Sequence, residues 1–261
     1  MISPPDVQAS VEVLVAARAR RLLLERLPPS GASLSVDDAY AIQEAFARRC
    51  GLPVVGYKIG CASKESQALV KAQGPFTALI FAPGRLDSPA EVPSQDFFTL
   101  GVEAEFAFTM RSGLPARAAP YERAEVAAAV AALWPAIEIC DTRIARWKAA
   151  RIEEIIADNG FHGGLVVGRG IADWRRLDLA AHEVAISVNG AVRAKGASAA
   201  TLGDPFDGLA WIANDLARRG RALRPGDIVA TGTWTGLHFV SGSAEVVADF
   251  GSLGRVALSV R

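Results

Sequence analysis

The sequence predicts an α+β fold in which helices come first and antiparallel or mixed strands follow. Amphipathic helical periodicity is concentrated in the first 50 residues, whereas strand-like segments dominate after Gly101. Within residues 186–192, Asn189 and Gly190 supply the positive φ values that a two-residue hairpin turn needs. Because hairpins join neighbouring antiparallel strands and few helices intervene, a doubly wound parallel sheet is not expected.

The composition of the 261-residue chain is that of a globular protein with a large core. Hydrophobic residues make up 51% and charged residues 21%, and 28 basic residues balance 28 acidic ones. This balance creates no basic surface for nucleic acid or anionic lipid, so neither partner is expected. The uncharged stretch of residues 126–137 is interrupted by Pro135 and is shorter than the roughly 20 apolar residues of a membrane span.

The N-terminus and the cysteines indicate a cytoplasmic protein. Residues 1–5 contain no basic residue ahead of an apolar core, so no signal peptide is predicted. Cys50, Cys61 and Cys140 are odd in number and lack a C-x-x-C pair. This pattern argues against a disulfide framework and against a thiolate zinc site.

The N-terminal part of the chain is predicted to be mainly helical. The expected elements are helices at residues 6–27, 35–50 and 63–72, a strand at 54–60 and a loop-rich stretch at 74–93. Ser35 is a suitable cap for the second helix, and Pro28 and Pro29 would end the first. We expect residues 1–75 to form an N-terminal helical region and residues 76–261 the β-rich catalytic domain of one functional unit.

Strands dominate the rest of the chain, with two helices between them. The predicted strands cover residues 102–110, 136–141, 164–168, 183–193, 227–231, 244–250 and 255–260, and the helices cover 121–133 and 204–219. The second of these helices has clear boundaries, because Asp204 can cap it, Pro205 suits its first position and Gly220 can end it.

Glu103, Glu105 and Glu138 are the first candidates for chemistry. Strand alternation over residues 102–109 places Glu103 and Glu105 on the same face. Glu138 lies in an apolar segment predicted to be a buried strand, where an unpaired carboxylate would cost several kcal/mol. Carboxylates gathered in this way favour a site for Mg²⁺ or Mn²⁺.

Two alternatives to a metal site remain open at this point. Glu103 and Glu105 could form a solvated strand face. Glu138 could instead pair with an arginine, such as Arg143 or Arg146.

Lys58 is a further candidate, because it lies in an apolar strand between Gly56 and Gly60. Glycines on both sides allow another group to approach the backbone closely. The alternative is a solvated lysine on an edge strand.

A glycine-rich loop between a helix and a strand contains Asp158, Asn159 and His162. Loops of this kind often present polar groups to ligands. Asp158 and Asn159 could equally be turn formers. His238 also lies in a predicted loop, whereas His182 precedes a strand and is expected to be structural.

Several ordered motifs carry a resemblance to a known family. They are Ala39-Tyr-Ala-Ile-Gln43, Gly56-Tyr-Lys-Ile-Gly60 with Ser63-Lys64, Val102-Glu-Ala-Glu-Phe106, Pro135-Ala-Ile-Glu-Ile139, Ile156-Ala-Asp-Asn159, Gly226-Asp-Ile-Val-Ala-Thr-Gly232 and Ala248-Asp-Phe-Gly-Ser-Leu-Gly254. With these motifs the chain resembles the 2-keto-4-pentenoate hydratase and 4-oxalocrotonate decarboxylase family, within the fumarylacetoacetate hydrolase superfamily.

The resemblance implies a mixed β-roll with an N-terminal helical region, assembled as a homodimer or larger homo-oligomer. It assigns Glu103, Glu105 and Glu138 to Mg²⁺ or Mn²⁺ and places Lys58 in the active site. The implied substrate is a 2-oxo acid or its dienol, which the enzyme would hydrate to a 4-hydroxy-2-oxo acid in aromatic catabolism. A metal-dependent decarboxylase of the 4-oxalocrotonate type and a non-catalytic binding relative are the alternatives.

The chain departs from the family pattern in three places. Pro83 stands where many relatives have an acidic residue, Gly160 and Phe161 replace small or hydroxyl residues, and the segment 233–239 is bulkier than usual. By position in the family, the predicted substrate-binding residues are Asp158, Asn159, Phe161, His162, Thr233 and Trp234. The bulkier residues predict a preference for a substrate with an apolar tail over a dicarboxylate.

Overall fold

A computed structural model describes residues 3–28, 34–197 and 202–261. Its helices are α1 (Pro4–Arg20), α2 (Val36–Cys50), α3 (Lys64–Val70), α4 (Arg123–Ala128), α5 (Ile152–Ala157) and α6 (Pro205–Arg218). The first three begin with serine caps at Ser3, Ser35 and Ser63, each part of a capping box. Met1 and Ile2, considered for a signal peptide, and Pro29, expected to help end the first helix, lie outside the described residues.

Two mixed sheets contain the strands. The strands are β1 (Val54–Gly60), β2 (Phe76–Phe81), β3 (Arg85–Asp87), β4 (Ala90–Val92), β5 (Gly101–Met110), β6 (Val130–Cys140), β7 (His162–Val167), β8 (Val184–Val188), β9 (Ala191–Gly196), β10 (Ile228–Thr233), β11 (His238–Phe239), β12 (Ala244–Asp249) and β13 (Arg255–Val260). The larger sheet has the order β2-β1-β10-β5-β6-β7-β3, with β11 paired to β5, and the smaller has the order β4-β13-β12-β8-β9. Most neighbours are antiparallel, but β1 and β10, β3 and β7, and β4 and β13 are parallel. The predicted α+β class and mixed sheet are therefore confirmed.

The larger sheet curls so that its concave face encloses a small interior. Small and branched apolar side chains from its strands fill part of that interior: Ile80, Ala107, Ala136, Leu165, Val167, Ile228 and Ala230. On the convex face, Phe106 packs with its ring centroid 5.1 Å from that of Phe250, next to the smaller sheet. Strand alternation thus separates a core face from a concave face on the same strands.

Helices α1, α2 and α5 cover β2 and form a second buried cluster with it. The strand β1 nevertheless lies well inside the larger sheet, between β2 and β10. The division into residues 1–75 and 76–261 stays a prediction, and Lys58 reaches the sheet from the N-terminal side of that boundary.

Three predicted elements are corrected by the structure. Helix α1 ends at Arg20, because Arg21 adopts a left-handed conformation with φ 56°. The helix predicted over residues 121–133 stops at Ala128, since Leu133 pairs with Phe108 and this strand pairing outweighs the helix propensity of the alanines. The predicted loop-rich stretch 74–93 contains the buried strand β2.

The predicted hairpin is confirmed, because β8 and β9 pair on either side of Asn189 and Gly190, which have φ values of 52° and 78°. Within the described residues, no helix is long and apolar enough to cross a membrane.

Candidate active site

Lys58 lies on the concave face of a central strand. Strand β1 pairs with β2 on one side and with β10 on the other, and Lys58 is only 4% exposed. The alternative of a solvated edge lysine is therefore wrong. A Cβ atom at Gly56 would lie 1.8 Å from the carbonyl oxygen of Ile228, and one at Gly60 would lie 2.2 Å from the Phe76 ring. Both glycines thus allow the close packing that brings Lys58 into the sheet.

The three glutamates lie close together on the concave face of the sheet, and Glu138 contacts Lys58. Glu103 of β5 lies directly opposite Glu138 of β6, and Glu105 is two residues further along β5. Glu105 is 0% exposed and Glu138 is 1% exposed, while Glu103 is partly buried. The alternative of a solvated strand face is therefore wrong for Glu105.

Glu138 has two nitrogen partners, and both contact the same oxygen. The Nζ atom of Lys58 lies 3.1 Å from Glu138 Oε1, and the Nδ1 atom of His162 lies 2.9 Å from it. Neither arginine considered from the sequence takes this position. Arg143 pairs with Asp158 at 2.7 Å, and Arg146 lies beside Glu25 at 3.6 Å.

Burial and the charges of neighbouring groups shift the pKa values in this cluster. The pKa of Glu138 falls, whereas the pKa values of Lys58, Glu103 and Glu105 rise. Burial would lower the pKa of Lys58, but the charges of Glu138 and of the other acidic groups around it together outweigh burial and raise that pKa above its usual value. Burial would likewise raise the pKa of Glu138, but Lys58 and then His162 lower it to about 2. Burial followed by repulsion from Glu138 raises the pKa of Glu103 to about 7 and that of Glu105 well above the usual range. An ionised Lys58–Glu138 pair therefore lies beside two carboxyl groups whose protonated forms are favoured by burial and by the charge of Glu138.

The unpaired oxygens fit a divalent cation. Glu105 Oε1 and Glu138 Oε2 are buried and have no hydrogen-bond partner among the described residues. Buried carboxylate oxygens without a donor are costly, and a cation bound by oxygen ligands would remove that cost. Candidate ligand atoms of Glu103, Glu138 and Cys140 also lie within 4.8 Å of one another. Cys140 was not among the site residues predicted from the sequence. It could have been found, because residues two positions apart on a strand share a face and Cys140 follows Glu138 by two.

A cavity of about 510 Å³ adjoins the cluster. Lys58, Glu103 and Cys140 line it, and so do Phe161 and Thr233, two of the residues expected from the sequence to bind substrate. The rest of the wall comes largely from apolar residues that sequence reasoning missed: Ile59, Ala62, Ala68, Leu69, Val70, Phe76, Trp147 and Leu237. Their spacing in the sequence carried no signal, because they come from separate strands, helices and loops.

The comparisons with known proteins show the family of the chain. The model of the fumarylacetoacetate (FAA) hydrolase C-terminal family matches residues 64–261. The chain belongs to this family. Within the family, it is 33% identical over 202 residues to the 2-keto-4-pentenoate hydratase of Paraburkholderia xenovorans (strain LB400), covering 76% of this chain and 74% of that protein. It is 30% identical over 231 residues to the 2-hydroxyhexa-2,4-dienoate hydratase of Comamonas testosteroni, covering 87% and 85%.

A solved structure has the same fold over the whole chain. It is a 4-oxalocrotonate decarboxylase from Pseudomonas putida G7, complexed with magnesium and adipate. The TM-score is 0.93 at 24% sequence identity, and the match covers 100% of this chain and 99% of that chain. The resemblance noted from the motifs, and the fold it implied, are both confirmed.

Four positions that the family pattern singled out lie away from the cavity wall. Asp158 accepts hydrogen bonds from the backbone and side chain of Arg143, and Asn159 bonds to both the N–H and the carbonyl of Leu79. Trp234 is 1% exposed and packs edge-on against Phe106, so it belongs to the core between the sheets. Pro83 is exposed in a short turn at residues 82–84. These contacts give Asp158, Asn159 and Trp234 structural partners, and direct contact of these three with substrate stays a prediction that the described cavity wall does not support.

Histidines 162 and 238 have different surroundings. His162 is buried and contacts Glu138, whereas the Nε2 atom of His238 lies 2.9 Å from the carbonyl of Thr235. His182 contacts the carbonyl of Phe250 and is structural, as predicted.

Proposed function

We propose that this protein is a divalent-metal-dependent hydratase that adds water to a 2-hydroxy-dienoic acid and yields a 4-hydroxy-2-oxo acid. The observation that carries the proposal is that Lys58 and Glu103 line a mainly apolar cavity and that Glu138 and Glu105 lie next to them. Relatives of 30 to 33% identity are named hydratases of 2-hydroxy-dienoic or 2-keto-pentenoic acids, which supports the reaction class. The overall reaction consumes one water molecule and needs no oxidant.

Glu103, Glu105 and Glu138 would hold the cation, which we take to be Mg²⁺ or Mn²⁺. The solved relatives bound to magnesium and to Mn²⁺ support this choice, as does the all-carboxylate donor set. When bound, the cation would supply positive charge to the substrate oxygens on which negative charge develops.

Lys58 would act on the substrate directly. Its ammonium group lines the cavity, and the charge of Glu138 raises its pKa, so it is protonated at neutral pH. A protonated lysine can bind the substrate carboxylate or donate a proton to the conjugated chain. It is therefore assigned the role of a cation and acid, not of a base.

The apolar wall sets the expected substrate shape. Among the described residues that line the cavity, Lys58 is the one with a positive charge. A second carboxylate at the far end of the substrate would be desolvated without a cationic partner. We therefore propose a monocarboxylic substrate with an apolar tail.

Two further parts of the proposal concern assembly and location. We propose a homodimer or larger homo-oligomer, supported by the exposed apolar residues Leu22, Leu23 and Phe239. A cytoplasmic location is supported by three cysteines that are all unpaired.

The decisive experiment offers two substrates to the purified protein with Mg²⁺ or Mn²⁺. One is a monocarboxylic 2-hydroxy-dienoate and the other an oxalocrotonate-type diacid, and the products are identified by NMR. Formation of a 4-hydroxy-2-oxo acid from the first supports the hydratase. Release of CO₂ from the second, without hydration of the first, would assign a decarboxylase instead. Failure to bind either cation in calorimetry would point to a non-catalytic relative.

A further inference from the structure

We propose that His162 is a positioning residue that holds Glu138 in its cation-binding orientation while Lys58 turns to the substrate. The proposal rests on the metal site of the proposed function. It assigns His162 to a contact with a ligand of the cation, whereas the sequence had placed it among the substrate-binding residues.

The hydrogen-bond pattern of Glu138 supports this role. An ionised carboxylate only accepts hydrogen bonds, so both Lys58 and His162 donate to its Oε1 atom, at 3.1 and 2.9 Å. The other oxygen, Oε2, is buried and has no hydrogen-bond partner among the described residues. With both donors on one oxygen, the carboxylate is fixed so that the second oxygen remains available as a ligand.

The two donors differ in their access to substrate. Lys58 lines the cavity, while His162 contacts Glu138, has a side chain that is 3% exposed, and is not part of the described cavity wall. A substrate carboxylate can therefore reach Lys58 and compete with Glu138 for its ammonium group. His162 keeps its hydrogen bond to Glu138 during that exchange, so the cation ligand does not rotate.

The backbone that delivers His162 is unusual. Asn159, Gly160 and Phe161 have consecutive left-handed φ values of 60°, 61° and 63°. Residues in this region are strained unless the surroundings enforce them, and such strain is concentrated at functional sites. Asn159 enforces the turn through its two hydrogen bonds to Leu79, and the turn places His162 opposite Cys140 at the start of β7.

Two substitutions of His162 separate positioning from simple packing. In His162→Asn, the side-chain amide can occupy the position of Nδ1 and still donate to Glu138, whereas in His162→Gln the amide occupies the position of Nε2. We expect Mn²⁺ affinity, measured by calorimetry and by the electron paramagnetic resonance signal of bound Mn²⁺ without substrate, to fall about 10- to 100-fold in His162→Gln. His162→Asn should stay within about threefold of the wild type.

His182→Gln is the matched control, because His182 bonds through Nε2 to the backbone carbonyl of Phe250 and packs against Phe106 on the opposite face of β5 from the glutamates. Wild-type Mn²⁺ affinity in His162→Gln would overturn the inference. Equal loss of affinity in the Asn and Gln variants, with equal loss of thermal stability, would also overturn it, since that result describes packing alone. If the wild type itself binds no Mn²⁺, the proposed function fails rather than this inference alone.

Discussion

The Nζ atom of Lys58 lies 3.1 Å from Glu138 Oε1, although two other strands separate their strands in the sheet. In a flat sheet, three strand spacings would place the two backbones about 14 Å apart. The contact exists because the sheet curls and both side chains point into its concave side.

Replacing Glu105 should separate metal binding from stability. Glu105 accepts one backbone hydrogen bond, from Gly232, and its other oxygen is buried without a partner. Glu105→Gln removes a buried acid whose pKa is raised by burial and by Glu138. We therefore expect Mn²⁺ affinity to fall by at least about 10-fold, while the metal-free protein becomes no less stable at neutral pH.

Calorimetry with Mn²⁺ and thermal unfolding without metal measure the two effects. The exposed Glu122→Gln serves as the control and should change neither. Wild-type affinity in Glu105→Gln would remove Glu105 from the metal site.

Replacing Lys58 should abolish turnover without abolishing metal binding. In Lys58→Met, Glu138 keeps its ligand oxygens but loses the ammonium group beside it. Removing one partner of a buried ion pair costs about 3–5 kcal/mol, so the metal-free variant should be clearly less stable. Bound Mn²⁺ should restore much of that loss, because the cation replaces the missing positive charge.

The measurements are kcat, Mn²⁺ affinity and the midpoint of thermal unfolding with and without Mn²⁺. Lys195→Met, at an exposed position of β9, is the control. A normal kcat in Lys58→Met would show that Lys58 takes no part in the reaction.

The stabilisation by metal should increase with pH. The pKa of Glu103 is raised from 4.5 to about 7 by burial and by Glu138, so the folded metal-free protein binds a proton that the unfolded chain has released in this range. The free energy of unfolding of the metal-free protein therefore falls as pH rises through that window. Protons also compete with the cation for the same oxygens.

Thermal unfolding at about pH 5 and about pH 8, with and without Mn²⁺, tests this prediction. The shift in midpoint caused by Mn²⁺ should be larger at the higher pH. Glu138 does not reverse the sign, because its pKa is lowered to about 2 and it stays ionised across this range. An equal shift at both values would contradict the shared role of protons and cation.

A positive charge at the cavity mouth should change substrate preference. Leu69 lies on α3, lines the cavity and is 47% exposed, so Leu69→Arg should fold normally. The new guanidinium would pair with the distal carboxylate of a diacid. We expect the ratio of kcat/KM for the diacid over the monoacid to rise about 10-fold.

Val192→Arg, at an exposed position of the β8–β9 hairpin, is the control for added charge. A clear preference of the wild type for the diacid would contradict the proposed apolar specificity before any variant is made.

A methyl group at Gly56 should disrupt the strand that carries Lys58. Its Cβ would lie 1.8 Å from the carbonyl oxygen of Ile228, so β1 and β10 would have to separate locally. We expect Gly56→Ala to lose at least about 2 kcal/mol of stability in urea unfolding. Gly74→Ala should be close to neutral, because nothing lies within 4 Å of its Cβ position. Equal stability of the two variants would contradict the described packing of β1 against β10.

The sequence by itself determined several features of this protein. Alternation along one strand placed Glu103 and Glu105 on a shared face, and Asn189-Gly190 located the hairpin. The cost of burying Glu138 without a partner predicted that other charged groups would surround it. These inferences held because they depend on local periodicity, turn chemistry and burial, which short stretches of sequence specify.

Only the tertiary structure decided which groups meet. Sequence could not select Lys58 and His162 over Arg143 as partners of Glu138, because residues 58 and 162 lie 80 and 24 positions away along the chain. The curl of the sheet and the left-handed turn before β7 bring them to one oxygen. Trp234 is likewise a core residue because it packs between the two sheets against Phe106, which is far away in sequence.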